Sequence, residues 1–309
     1  MRSFQRTCTL IAGSAVGVVS LAACGSDSAT TEASDGAGDV PTVVVTTNIL
    51  GDVVQAAAGD LVDVEVIMPA GAEPHDFAPS ARQAEAMENA DLLVINGAGF
   101  EAGMVGIVDN VESAGTPVFS FADSVSLLDG DPHLWTDPHR IDEGLDALET
   151  RLGELDEIEP DQLADSFDAY RAELDALDTS IEASVETIPV DRRVLVTNHE
   201  VFEYFADRYG FDVVGAVIPS TTTSAEPSAS DIEALADLIR DDGIPAIFGE
   251  TTQSTQIANA IADEVGTIDG DDVVIVELFS ESLGDADSGA ATYLEMMQTN
   301  ADLIADALR

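Results

Sequence analysis

The chain is poor in cysteine and in positive charge. Its two cysteines, Cys8 and Cys24, lie near the N-terminus, and all eleven basic residues are arginines, so lysine is absent. Sixty aspartates and glutamates leave a net charge of −49. A surface of this sign repels phosphate backbones, so we expect no nucleic-acid partner. The acids are spread along the whole chain, which favours a general adaptation to salt over a device that concentrates cations at one site.

Long apolar runs are also scarce, and the one that exists lies at the N-terminus. Arg2 and Arg6 precede "TLIAGSAVGVVSLAAC", which is typical of a secretory signal and too short for a comfortable membrane span. Its end, "LAAC", resembles a bacterial lipoprotein signal over residues 1–24, with Cys24 as the lipid-modified first residue. The alternative is an ordinary secretory signal. Because Cys8 would leave with the signal, we expect neither a disulfide nor a thiolate metal site.

A polar stretch follows this signal. Residues 25–40 are rich in Gly, Ser, Ala, Thr and Asp without apolar periodicity, which predicts a flexible tether. Lipid on Cys24 would hold the protein at the outer face of the cell membrane. No second apolar run approaches membrane-spanning length, so we expect a soluble, monomeric, extracytoplasmic body.

Strand-like and helix-like segments alternate after the tether. β-Branched runs at 42–50, 61–70, 91–99 and 116–122 are separated by helix formers such as residues 80–90. This alternation predicts an α/β lobe with a parallel sheet. The same alternation resumes further along the chain and predicts a second α/β lobe, which is not an obvious sequence repeat of the first.

A long helix is predicted between the two lobes. Residues 161–188 contain neither Gly nor Pro, and apolar residues recur there on one helical face: Leu163, Phe167, Tyr170, Leu174, Leu177 and Ile181. Such a helix would span about 40 Å and form a rigid connection. The predicted division is a signal peptide at 1–24, a tether at 25–40, an N-terminal lobe at 41–158, a connecting helix at 159–188 and a C-terminal lobe at 189–309.

Three of the four histidines follow predicted strands. His75 follows the second strand, His133 the fourth, and His199 the first strand of the second lobe. Ligands of open parallel sheets bind beyond the carboxyl ends of the strands, and imidazole nitrogen suits zinc and other late first-row metals. Without a thiolate, the fourth donor is expected to be a carboxylate or water. His139 opens a helix and is expected to be a bystander.

Six segments together resemble one family. They are "MPAGAEPHDFAPSARQ", "NGAGFE", "DPHLWTDP", "TNHEVFEYFADRYGF", "AIFGETTQST" and "TYLEMMQTNADLI". In this order they resemble the metal-binding lipoproteins of zinc and manganese ABC importers (cluster 9 solute-binding proteins) over about residues 42–309. The resemblance implies two α/β lobes with mainly parallel sheets, joined by one long rigid helix, with the metal in the interlobe cleft. It also implies His75, His133 and His199 as ligands, an ABC permease as partner and no enzyme activity.

The metal and the fourth ligand are less directly indicated. His199 resembles the zinc members, since manganese members tend to carry a carboxylate there; manganese or iron is the alternative to Zn²⁺. The chain lacks the long His-rich loop that zinc members often have before the second ligand. Ala291 stands where the resemblance would place the acidic fourth ligand. We therefore predict Asp287 as that ligand, with Asp285 or water as alternatives.

Neighbouring residues have predicted supporting roles. Glu250 is expected to accept the N–H of a ligand imidazole, with helix capping as the alternative, and Asp131 or Asp137 is expected to do the same for His133. Trp135, the single tryptophan, is expected to pack in the core.

A zinc hydrolase is the competing class of function, because three histidines and a nearby glutamate also form catalytic sites. Glu200 would be its base. No His-Glu-x-x-His motif occurs, so a binding protein is favoured.

Overall fold

The computed structural model describes residues 40–223, 225–268 and 270–309. The predicted signal peptide, with Cys24, and nearly all of the predicted tether lie outside these described residues. Within the described ranges, no helix combines the length and the apolar character that crossing a bilayer requires.

The N-terminal lobe is a parallel sheet with helices between its strands. The strands are β1 (Thr42–Val45), β2 (Asp63–Val66), β3 (Leu92–Ile95) and β4 (Val118–Ser120). The helices are α1 (Asn48–Ala58), α2 (Ala81–Glu88) and α3 (Val105–Ala114). The sheet order is β2-β1-β3-β4, and all pairs are parallel. The first predicted strand ends early because Thr47 caps α1, accepting a hydrogen bond from the Leu50 amide.

Two consecutive helices leave this lobe. They are α4 (Pro138–Leu152) and α5 (Pro160–Val185). At 1.5 Å per residue, the 26 residues of α5 span about 39 Å. All six apolar residues predicted on one face of this helix are buried, and Val185 extends the same stripe.

The C-terminal lobe has the same kind of architecture. Its main strands are β5 (Val194–Thr197), β6 (Asp212–Ala216), β7 (Ala246–Glu250) and β10 (Val274–Leu278). The short pair β8 (Thr267–Ile268) and β9 (Asp271–Asp272) is antiparallel. The helices are α6 (Glu203–Tyr209), α7 (Ala229–Asp242), α8 (Gln256–Val265) and α9 (Tyr293–Leu308). The main sheet is parallel in the order β10-β7-β5-β6.

The helix α5 connects the cores of the two lobes. It packs against α1, α4 and α9, and the Ser166 hydroxyl donates a hydrogen bond to the Ala57 carbonyl 2.7 Å away. Its buried stripe belongs to one apolar cluster that includes Val43 of the first sheet and Phe248 of the second. The predicted fold of two parallel α/β lobes joined by a long helix is confirmed.

Candidate metal centre

Four buried side chains meet where strands of both sheets end. His75 follows β2, His133 follows β4, His199 follows β5 and Glu281 follows β10. One ligand atom from each lies within 4.8 Å of the others, and none of the four residues is more than 3% exposed. The structure therefore brings together the three predicted histidines from three distant parts of the chain. It adds a glutamate that the sequence analysis did not select.

The distances within this group match a metal-coordination site. Glu281 Oε1 lies 2.8 Å from His75 Nε2 and 3.3 Å from His199 Nε2. It lies 3.6 Å from His133 Nε2, and the Nε2 atoms of His133 and His199 are 3.3 Å apart. Nitrogen and oxygen donors about 2.0–2.1 Å from a tetrahedral zinc are separated by about 3.3 Å. Four of the six distances among these donor atoms are therefore close to tetrahedral spacing, and all six are within 4.8 Å.

Two carboxylates orient two of the imidazoles. Asp131 Oδ1 lies 2.6 Å from His133 Nδ1 and also accepts a 3.0 Å hydrogen bond from the His133 amide. Glu250 Oε1 contacts His199 Nδ1. A carboxylate that accepts a hydrogen bond from Nδ1 favours the neutral tautomer with its proton on Nδ1. In this tautomer the Nε2 lone pair faces the centre. The two Nε2 atoms are 3.3 Å apart, so a proton or a metal cation between them is needed to offset the repulsion of their lone pairs.

The His75 ring and the Glu281 carboxylate differ from the other two imidazoles, because they have no hydrogen-bond partner among the described residues. Both ring nitrogens of His75 and both carboxylate oxygens of Glu281 are buried. The 2.8 Å approach between the two side chains does not have hydrogen-bond geometry. Burying unpaired polar groups is costly, and a bound metal ion would satisfy His75 Nε2 and Glu281 together.

The electrostatics of the group favour positive charge. Burial alone would raise the pKa of Glu281, but the three imidazoles outweigh burial and hold that pKa well below its usual range. Burial lowers the pKa of His199, yet Glu250 and Glu281 outweigh it and raise that pKa to about 10. The pKa of His133 is raised in the same way, by Asp131 and Glu281 against burial. Without metal, the group therefore retains protons that a divalent cation would displace.

Aromatic rings form one wall of the centre. The Phe100 ring lies 4.9 Å from the His75 ring and 4.8 Å from the Trp135 ring, measured between centroids. The Trp135 ring lies 5.4 Å from the His133 ring. Trp135 Nε1 donates a 2.7 Å hydrogen bond to the carbonyl of Ser280, which precedes Glu281. Trp135 is buried in the core as predicted, and its position also makes it a fluorescent reporter of the centre.

The structure places the predicted ligand Asp287 apart from the centre. Asp287 and the alternative Asp285 are exposed, and neither belongs to the group of converging ligand atoms. Their loop is closed on itself, because the Gly284 amide donates to the Ala290 carbonyl at 2.8 Å. Glu281 lies three residues beyond β10, at the same sheet edge as the histidines. The strand-end rule that selected the histidines would have found it.

The other predicted residues have simple positions. His139 is exposed at the start of α4, and its amide donates to Asp137 Oδ1 at 2.9 Å, so it lies apart from the centre. Asp131, rather than the alternative Asp137, contacts the His133 ring. Glu250 is the last residue of β7 and lies against His199.

The fold and the centre together define a class of protein, the two-lobed binding protein that holds a metal ion between α/β domains. The sequence matches the family described as "Zinc-uptake complex component A periplasmic" over residues 43–307. The chain belongs to this family. It is therefore the extracytoplasmic metal-binding component of an ABC metal importer.

Named relatives support the assignment to this class. The manganese-binding lipoprotein MntA of Halalkalibacterium halodurans is 30% identical over 292 residues, covering 93% of this chain and 94% of MntA. The zinc-binding protein TroA of Treponema pallidum is 32% identical over 275 residues, covering 87% of this chain and 89% of TroA. A solved structure of periplasmic TroA superimposes with a TM-score of 0.79, covering 87% of this chain and 99% of that one. Zinc and manganese proteins are both represented among the relatives.

Proposed function

We propose that this protein captures zinc outside the cell membrane and delivers it to an ABC permease. Its ligands are His75, His133, His199 and Glu281. The observation that carries the proposal is the convergence of three buried imidazoles and one buried carboxylate, whose donor atoms all lie within 4.8 Å of one another. Zinc exceeds manganese in affinity for such nitrogen donors.

Manganese is the second candidate metal. Both oxygens of Glu281 are buried and without a hydrogen-bond partner among the described residues, so this carboxylate can bind a metal through both. That would raise the coordination number to five, which manganese accepts more readily than a structural zinc site does. The manganese-binding name of MntA supports the same alternative.

Transport, rather than catalysis, fits the ligand set. Four protein ligands complete a tetrahedral shell, whereas a catalytic zinc keeps one position open for water or substrate. Several relatives are named as substrate-binding lipoproteins of metal ABC transporters. We therefore propose that Glu200, next to His199, has no role as a catalytic base.

A lipid anchor on Cys24 is part of the proposal. Relatives named as lipoproteins support it, as does the "LAAC" sequence. A Cys24→Ala variant expressed in a bacterial host is expected to leave the membrane fraction as a soluble monomer, measured by fractionation and size-exclusion chromatography. Retention of this variant in the membrane fraction would contradict the anchor.

The identity of the bound metal is tested on protein that is purified without added metal. Elemental analysis is expected to find zinc, and calorimetric titration is expected to show one zinc per chain with manganese binding more weakly. Zinc affinity is expected to fall from pH 7.5 to pH 5.5, because the raised pKa values of His133 and His199 let protons compete for their nitrogens. Equal affinity at the two pH values would contradict a three-imidazole site.

The ligand set is tested by single substitutions to alanine. His75→Ala, His133→Ala and His199→Ala are each expected to abolish tight zinc binding. His139→Ala is the matched control, because it removes the one exposed histidine and is expected to bind zinc like the unmodified protein.

A further inference from the structure

The three histidines are not held equally. Carboxylates fix the rings of His133 and His199 through Nδ1, whereas the ring of His75 has no hydrogen-bond partner among the described residues. Apart from its packing against the Phe100 ring, the position of His75 therefore depends on the loop that carries it. This loop, residues 69–79, runs between β2 and α2 in the N-terminal lobe, and we call it the His75 loop.

Glu73 fastens the His75 loop to the opposite lobe. One carboxylate oxygen accepts a 3.0 Å hydrogen bond from the His75 amide, and the other contacts Gln253 Nε2. Gln253 lies just after β7, in the C-terminal lobe. The backbone of a ligand is thus tied across the cleft through a single side chain.

Ser282 fastens the same loop at a second point. Its hydroxyl oxygen accepts a 2.8 Å hydrogen bond from the Gly71 amide and a 2.9 Å hydrogen bond from Asn48 Nδ2, at the start of α1. The Asn48 side-chain oxygen accepts in return from the Leu283 amide at 3.1 Å. Because Ser282 follows Glu281 directly, this contact joins the segments that carry a ligand from each lobe.

Metal cannot leave without a ligand moving away, and His75 is the ligand whose own ring is least restrained. Moving it requires the His75 loop to detach from the C-terminal lobe. We propose that Glu73 and Ser282 are positioning residues that hold the His75 loop closed and thereby set the rate of metal dissociation. The inference rests on the proposed function, since it requires that a metal ion be bound by His75 and Glu281.

The rate is measured on the zinc-loaded full chain mixed with excess chelator in a stopped-flow instrument, with Trp135 fluorescence or a chromogenic chelator as the signal. Loss of a hydrogen bond to a charged group is expected to speed dissociation about tenfold in Glu73→Ala. Ser282→Ala is expected to speed it by a smaller factor. Glu73→Gln is expected to restore a slower rate, because its amide oxygen can still accept from Gln253.

Matched controls remove the same chemical groups from exposed positions. Glu65→Ala takes a carboxylate from β2, and Ser113→Ala takes a hydroxyl from the end of α3. Both are expected to release zinc at the rate of the unmodified protein. Their thermal midpoints without metal give the baseline for any loss of folding.

A double-variant comparison separates a contact across the cleft from general destabilisation. If Glu73 acts through Gln253, the Glu73→Ala/Gln253→Ala protein releases zinc no faster than Glu73→Ala alone. If the rate increases of Glu73→Ala and Gln253→Ala multiply in the double variant, the proposal is overturned. Unchanged dissociation rates in Glu73→Ala and Ser282→Ala would overturn it as well. If a folded Glu73→Ala protein no longer binds one zinc per chain, Glu73 coordinates the metal directly, and its role as a positioning residue is overturned. If the unmodified protein fails to bind zinc, the proposed function fails, and this inference fails with it.

Discussion

At the scale of single residues, the carboxylates of the centre divide into two roles. Glu281 presents its oxygens to the space between the imidazoles, while Asp131 and Glu250 contact the far sides of two rings. The first kind of carboxylate supplies charge to a cation directly. The second kind fixes which nitrogen faces that cation and increases its basicity.

Glu281 and Asp287 provide a direct test of the ligand assignment. Glu281→Ala is expected to weaken zinc binding by more than about 100-fold, because it removes a ligand and changes outside the ligand set alone cost about 10- to 100-fold. Asp287→Ala is expected to bind like the unmodified protein, since Asp287 is exposed. Titration calorimetry measures both. The reverse ranking would restore the expectation from the sequence.

Glu250→Gln tests the orienting role. The amide is a weaker acceptor for the His199 Nδ1 proton, so zinc affinity at pH 7.5 is expected to fall about 10- to 100-fold with the stoichiometry unchanged. Glu264→Gln, at an exposed position on α8, is the control. Unchanged affinity in Glu250→Gln would mean that packing alone orients the ring.

At the scale of elements, the sequence is informative where a local pattern decides the structure. The β-branched run that begins at Thr42 and the one-sided apolar stripe of α5 correspond to observed elements. The sheet order and the meeting of Glu281 with three histidines from distant segments depend instead on pairing between distant strands. The approach of Glu281 to His75 has no local signature, because the two residues lie in different lobes and far apart along the chain.

Glu101 shows how one side chain joins two elements near the centre. Its carboxylate accepts hydrogen bonds from the Thr46 hydroxyl after β1, at 2.7 Å, and from the Asn96 amide after β3, at 2.6 Å. It also accepts from the Gly97 amide at 3.1 Å, and it is 4% exposed. Glu101 thus ties together the carboxyl ends of two neighbouring strands, next to the Phe100 ring.

Glu101→Gln is expected to lower the free energy of unfolding by about 1–3 kcal/mol at pH 5, because an amide replaces one accepting oxygen with a donor. Burial raises the pKa of Glu101 in the folded protein despite the hydrogen bonds that lower it. The folded state therefore binds this proton more tightly than the unfolded state, so the stabilising contribution is present at low pH and is lost as pH rises. The cost of the substitution is expected to be smaller at pH 7.5 than at pH 5.

Urea denaturation at both pH values measures this difference. Glu112→Gln, at an exposed position on α3, is the control and is expected to change stability little at either pH. A cost for Glu101→Gln that grows with pH would contradict the raised pKa.

At the scale of the whole molecule, the dominant feature is negative charge. Most of the arginines that the structure describes are already paired with acids; Arg171, for example, lies within 3.5 Å of four carboxylates, and Arg208 pairs with Asp178. With sixty acidic residues and eleven arginines in the chain, the arginines are too few to pair with most of the carboxylates. Repulsion of this kind opposes the compact state and is reduced by dissolved salt.

Stability is therefore expected to rise with salt. Between 0.1 M and 1 M NaCl the screening length falls from about 10 Å to about 3 Å, and the free energy of unfolding is expected to increase by on the order of 1–3 kcal/mol. The measurement is denaturation by urea, which is uncharged and leaves the ionic strength to the added salt. Sucrose at matched osmolality separates screening from the exclusion of solutes from the protein surface. If sucrose stabilises the protein as much as NaCl does, or if NaCl has no effect, charge repulsion does not limit its stability.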